Sequence, residues 1–131
     1  MRYLVTGGTG FIGATLVHRL LAQGHAVRVL DDNSRGAPRR LGDATRAVEL
    51  IEADIRDAVK VRSAARGVDS IVHLAYVNGT EFFYKRPELV LDVGLRGMFN
   101  VLDACRAEGV RELVLASSSE VYQTPDRKSV V

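Results

Sequence analysis

Residues 2–13, Arg2-Tyr3-Leu4-Val5-Thr6-Gly7-Gly8-Thr9-Gly10-Phe11-Ile12-Gly13, decide the fold. The run from Arg2 to Thr6 is short, apolar and bounded by Gly7-Gly8, which is the pattern of a buried strand. From Phe11 the period changes. Ile12, Leu16, Val17, Leu20 and Leu21 recur at helical spacing, and Gly24 stops the helix. Between strand and helix, Gly7, Gly10 and Gly13 are spaced G-x-x-G-x-x-G. One glycine permits a tight turn, the next lets backbone approach a pyrophosphate, and the third lets helix and sheet pack closely. The helix N-terminus adds free N–H groups and the positive end of a dipole. A glycine triplet alone is a weak signal, but the strand–loop–helix context is the one such a motif requires.

The alternation continues outward. Ala26–Leu30 reads as a second strand ending at Asp31-Asp32, and 33–46 is polar with Gly36, Pro38 and Gly42, a loop. Val48–Glu52 reads as a third strand, 57–66 as a helix and Ser70–Leu74 as a fourth strand. An irregular piece, 76–87, holds the aromatic cluster Tyr76, Phe82, Phe83 and Tyr84, which either shapes a pocket or covers the core. A long helix is predicted over 88–108, with Leu91, Leu95, Met98, Val101, Leu102 and Cys105 on one face. Glu112–Ala116 is a fifth strand, followed by three serines. Near-continuous apolar strands alternating with helices predict an α/β fold, a Rossmann-like doubly wound parallel sheet of about five strands. Ligands of such a sheet sit at the C-terminal strand ends, here Thr6, Asp31, Asp54, Leu74 and Ser117.

The composition narrows the function. The 131 residues carry 18 Lys plus Arg against 16 Asp plus Glu, a net charge of +2 that gives no electrostatic argument for nucleic acid. Cys105 is the single cysteine, so no intrachain disulfide or cysteine-based zinc site forms, and no metal site is expected. We read Cys105 as a core residue. No apolar run approaches the roughly 20 residues of a membrane span, and no secretory signal is present. The expected compartment is the cytoplasm.

Asp31 closes the second strand 18 residues after Gly13. An acid there accepts from both adenosine ribose hydroxyls and repels a 2′-phosphate, favouring NAD over NADP. Asp32 and Asn33 are placed to share that role. Arg35, Arg39 and Arg40 follow in the loop, either solvated or positioned to hold a 2′-phosphate.

These pieces together resemble the extended short-chain dehydrogenase/reductase family, in particular its NAD-dependent epimerases and dehydratases of nucleotide sugars. The matching segments are Thr6–Gly13, Leu30–Asn33, Ala53–Asp57, Val72–Ala75 and Ala116–Tyr122, in the family's order. The resemblance implies that Asp54 and Ile55 flank the adenine, with the acid accepting from its amino group. It implies that Leu74, Ala75 and Tyr76 line the path to the nicotinamide, and that His73 is structural. Ser118 falls where the family places its catalytic hydroxyl, which polarises a substrate hydroxyl or carbonyl. Ser119 and Glu120 fall where its dehydratases carry Asp-Glu, and only the Glu is present. Without the resemblance, three serines after a strand read as a cap or turn.

Two departures bear on function. The family's Tyr-x-x-x-Lys base is absent: the fourth residues after tyrosines 3, 76, 84 and 122 are Gly7, Thr80, Glu88 and Asp126. Gly94-Leu95-Arg96-Gly97 stands where many members have Asn-Val-x-Gly. The expected organisation is a truncated dinucleotide-binding domain over 1–124 with a tail at 125–131. Two functions compete: the NAD-binding portion of a sugar epimerase or dehydratase acting by transient hydride transfer, and a non-catalytic dinucleotide-binding or sensing module. The fifth strand is expected at the sheet edge, with self-association as a homo-oligomer.

Overall fold

The computed structural model describes residues 1–118. Five strands form one parallel sheet: β1 (Arg2–Thr6), β2 (Ala26–Asp31), β3 (Val48–Glu52), β4 (Ser70–His73) and β5 (Glu112–Leu115). Their order across the sheet is β3-β2-β1-β4-β5, so the chain reverses direction on either side of β1. That reversal opens a crevice beyond the C-terminal end of β1. The predicted parallel doubly wound sheet is the one observed.

Helices cover both faces. Alternate residues of each central strand point to opposite sides. Leu4, Leu30 and Ile71 face a core completed by α2 (Ala58–Ala65) and a long helix beyond β4. Val5, Val29 and Val72 face the other core, completed by Ala14, Val17 and Leu20 of α1 (Phe11–Ala22). Leu4, Val5, Val29, Leu30 and Ile71 are wholly buried, which accounts for strands that are apolar without interruption.

The structure corrects the sequence reading at several points. The stretch 33–46 is not all loop: Pro38–Arg46 forms two 3-10 turns joined at Gly42, whose φ is 50°. Leu41 and Ala44 from these turns are buried against α1 and β2. The irregular segment contains a short helix, α3 (Thr80–Lys85). The long helix starts as α4 (Pro87–Leu91), widens into a π turn over Asp92–Arg96 and continues as α5 (Gly97–Glu108). Its buried stripe is Val90, Val93, Gly97, Val101 and Ala104, whereas Leu91, Leu95 and Leu102 are exposed. Small residues line the buried stripe because α5 lies close against Ala64 and Ala65 of α2. Ala116 lies just beyond the last strand, and Asp54 lies two residues past β3. Cys105 is half-buried against the core, and burial pushes its thiol up.

Candidate active site

The glycine loop is pressed against everything around it. Gly7 has φ of 73°, and a Cβ there would lie 2.8 Å from the Ala75 nitrogen and 2.9 Å from the Leu74 carbonyl carbon. A side chain at Gly8 would enter the Val29 methyls, and one at Gly13 would come within 2.1 Å of the Gly7 oxygen. The helix therefore begins in contact with the turn that precedes it. Gly10 sits at the N-cap with no side chain to bond the first turn of α1, and that turn holds no acidic residue. The first N–H groups of an α-helix have no partner within the helix. Those of Phe11, Ile12 and Gly13 thus form an uncapped, positively polarised end. Phe11 and Ile12 are 83% and 70% exposed there.

Asp31 comes to this loop from the end of β2. It is 6% exposed, and its carboxylate accepts from the Thr9 backbone N–H at 2.9 Å and from that of Asn33 at 2.9 Å. Each oxygen keeps further lone-pair capacity. Asn33 holds φ of 57°, and its side-chain oxygen accepts from the Thr9 hydroxyl at 3.0 Å. Asp32 turns outward and accepts from the N–H and hydroxyl of Ser34. Thr9, which sequence reasoning passed over, is the centre of this arrangement. Its carbonyl also accepts from the Ala37 N–H at 3.1 Å and from Arg40 at 3.3 Å. A hydroxyl residue inside a glycine loop is the signal that could have found it, and the structure buries it completely.

On the other side of β1, the segment leaving β4 is tied in by Thr6. Its buried hydroxyl accepts from the N–H groups of Leu74 and Ala75, both at 3.2 Å, and shares a 2.7 Å hydrogen bond with His73 Nδ1. Burial lowers the His73 pKa and favours the neutral ring, which ties β4 to β1 in a supporting role. Tyr76, 50% exposed, lays its ring where a Cβ on Gly94 would sit, 2.6 Å away.

Beyond β3, Asp54 is gripped by Arg56, with Nη2 to Oδ2 at 2.6 Å and Nε to both carboxylate oxygens. Arg56 continues to Asp92 in the π turn at 2.8 Å, and Asp92 accepts from Arg96 at 2.8 Å. The Arg56 hydrogen bonds hold both carboxyls below the usual carboxylate range. Ile55 fills the space over Gly97, and its carbonyl accepts from Asn100 at 2.9 Å. The Asp54–Ile55 segment is therefore clamped to the long helix. Sequence reasoning did not find this clamp, because Asp92 lies 36 positions from Arg56.

Gly7, Gly10, Phe11, Ile12, Gly13, Asp31, Asn33, Leu74, Ala75 and Tyr76 thus meet around the C-terminal end of β1. Asp54 and Ile55 stand at the β3 side. Ser118 lies just past β5 and is exposed. Glu120 lies outside the described residues, as does the tail at 125–131.

A family model for the NAD dependent epimerase/dehydratase family matches residues 3–130. The chain belongs to this family. It is 40% identical over 129 residues to a UDP-glucose 4-epimerase of Mycolicibacterium smegmatis, covering 95% of this chain and 41% of that protein. It is 38% identical over 125 residues to a dTDP-glucose 4,6-dehydratase of Mycobacterium tuberculosis, covering 93% and 38%. Among solved structures, a UDP-glucose 4-epimerase of Thermus thermophilus in complex with NAD superposes with a TM-score of 0.83 at 38% identity. That match covers 90% of this chain and 38% of the other. The chain spans about two fifths of the length of these relatives. The resemblance read from the ordered motifs is borne out.

Proposed function

We propose that this chain binds NAD along the C-terminal edge of its sheet and forms the cofactor-binding portion of an NAD-dependent nucleotide-sugar epimerase or dehydratase. The observation that carries the reading is the uncapped start of α1, held against the glycine loop, with a buried carboxylate from β2 beside it. The N–H groups of Phe11, Ile12 and Gly13 would take the pyrophosphate. Asp31 would accept from the adenosine ribose, with Asp32 and Asn33 shaping that end of the site. Asp54 would accept from the adenine amino group and Ile55 would pack on the ring. Leu74, Ala75 and Tyr76 would line the approach to the nicotinamide. NAD, when bound, supplies the hydride acceptor that such sugar chemistry requires.

Ser118 would donate to a hydroxyl or carbonyl of the nucleotide sugar, and Glu120 would act beside it. The 131 residues contain no Tyr-x-x-x-Lys, so proton removal needs a base from outside them. Residues 1–124 would form the dinucleotide-binding unit, with 125–131 as its tail. No helix among the described residues is long and apolar enough to cross a membrane. The single cysteine suits a reducing cytoplasm as the compartment. Self-association is expected at the exposed apolar surfaces: among the described residues β5 lies at one edge of the sheet, and Leu91, Leu95, Phe99 and Leu102 form an exposed ridge. Titration with NAD tests the main reading. Saturable binding below about 1 mM is expected, and no binding at millimolar cofactor overturns it.

A further inference from the structure

The Arg35 guanidinium carbon sits 5.3 Å from the centroid of the Phe82 ring. The two residues come from different sides of the site. Arg35 follows β2, and Phe82 belongs to α3, which follows β4. β2 and β4 are the two neighbours of β1 in the sheet. A contact between the segments that leave them must therefore cross the C-terminal end of β1, where the glycine loop begins. The Arg35–Phe82 pair spans the mouth of the crevice.

The loop carrying Arg35 is anchored to the glycine loop. Arg40 donates to the Arg35 carbonyl at 3.2 Å and to the Thr9 carbonyl at 3.3 Å, and the Ala37 N–H donates to Thr9 as well. The guanidinium also packs over Gly79, whose φ of 130° few residues other than glycine adopt; a Cβ there would lie 3.6 Å from Arg35 Nη1. Arg28, Arg56, Arg62, Arg96 and Arg111 each pair with a carboxylate, but Arg35 pairs with none among the described residues. A guanidinium that crosses the crevice mouth, carried by a loop tied to the glycine loop, is suited to an anion lying beneath it in the crevice.

We propose that Arg35 binds the pyrophosphate of the dinucleotide from the side opposite the glycine loop and, resting on Phe82, closes the crevice over it. The inference rests on the dinucleotide reading above. A 2′-phosphate offers the same chemistry, but Arg35 reaches toward the β4 side, across the loop and away from the β3 side. That direction favours the pyrophosphate.

The test compares the unsubstituted chain with Arg35→Gln, Arg35→Lys and Phe82→Leu. Affinities for NAD, ADP-ribose, NADP and adenosine are measured, and NAD dissociation is followed by stopped flow. Arg35→Gln should weaken NAD and ADP-ribose roughly tenfold, the loss of one charge-assisted contact, and leave adenosine unchanged. Arg35→Lys should keep part of the affinity, and Phe82→Leu should speed NAD release. Unchanged NAD affinity in Arg35→Gln overturns the proposal, and so does a loss confined to NADP, which would assign Arg35 to the 2′-phosphate. Failure of the unsubstituted chain to bind NAD overturns the dinucleotide reading itself, and this inference with it.

Discussion

A methyl group on Gly13 would stand 2.1 Å from the Gly7 oxygen, 2.7 Å from the Gly8 Cα and 2.9 Å from the Gly7 carbonyl carbon. All three are backbone atoms, so no side chain can swing aside. Restoring an ordinary contact of 3.4 Å moves the start of α1 by about 1.3 Å. Overpacking of this kind costs about 1–3 kcal/mol. Alanine recovers up to about 1 kcal/mol through its better helix propensity. Gly13→Ala should therefore lose about 1–2 kcal/mol of stability, near 1 M in the urea midpoint. The effect on NAD should be larger than the effect on folding. An N–H group drawn back by that distance no longer reaches a phosphate oxygen within about 3.2 Å. Losing one such charge-assisted bond costs about 1.5–3 kcal/mol, roughly tenfold to a hundredfold in affinity. Calorimetric NAD titration beside urea unfolding measures both quantities. Gly24→Ala is the control: its φ is 78°, but nothing lies within 4 Å of a Cβ there, so it should cost stability without touching NAD. A Gly13→Ala chain that binds NAD like the unsubstituted one refutes the reasoning.

Asp31→Ala should weaken NAD by about tenfold and NADP by less, because removing the carboxylate also removes its repulsion of a 2′-phosphate; equal losses by titration contradict the ribose role. Arg56→Met frees Asp54 from its partner, so selectivity for NAD over the hypoxanthine analogue should fall in competition binding, while the urea midpoint drops slightly at low salt and not at about 1 M salt. Stability should fall with acid in two stages. Burial lowers the folded-state pKa of His73 below the 6.5 of the unfolded chain, so only the unfolded state takes up the proton as pH drops below 6.5. Asp54 and Asp92, lowered from 3.8 by Arg56, contribute stability above 3.8 that is lost below it. Urea midpoints across pH check both stages, and a midpoint that rises on acidification through 6.5 counts against a buried neutral His73.

The central strands and the glycine loop were legible because local pattern and global role coincide there. Strands buried on both faces read as unbroken apolar runs, and the change of period at Phe11 marks where the sheet hands over to α1. Asp31 was legible for the same reason, since one strand length beyond α1 fixes its place beside the loop. What failed lacked such a local signature. The 3-10 turns at 38–46 bury only Leu41 and Ala44 in an otherwise polar stretch with Pro38 and Gly42. The long helix carries two adjacent stripes at helical spacing, one of large leucines and one of small residues. Close approach to α2 selects the small stripe, and only the neighbour's Ala64 and Ala65 reveal that. The Arg35–Phe82 and Arg56–Asp92 contacts join distant positions and appear only once the sheet order sets them side by side.

An amide ¹⁵N–¹H titration with NAD tests the placement of the cofactor most directly. Shifts are expected at residues 7–13, 31–33, 54–55 and 74–76, the groups gathered around the ends of β1, β2, β3 and β4. Little change is expected at Arg62, Asp103 and Arg106, which line a depression between α2 and α5 away from the glycine loop. Shifts centred on that depression, with residues 7–13 unmoved, would contradict the placement.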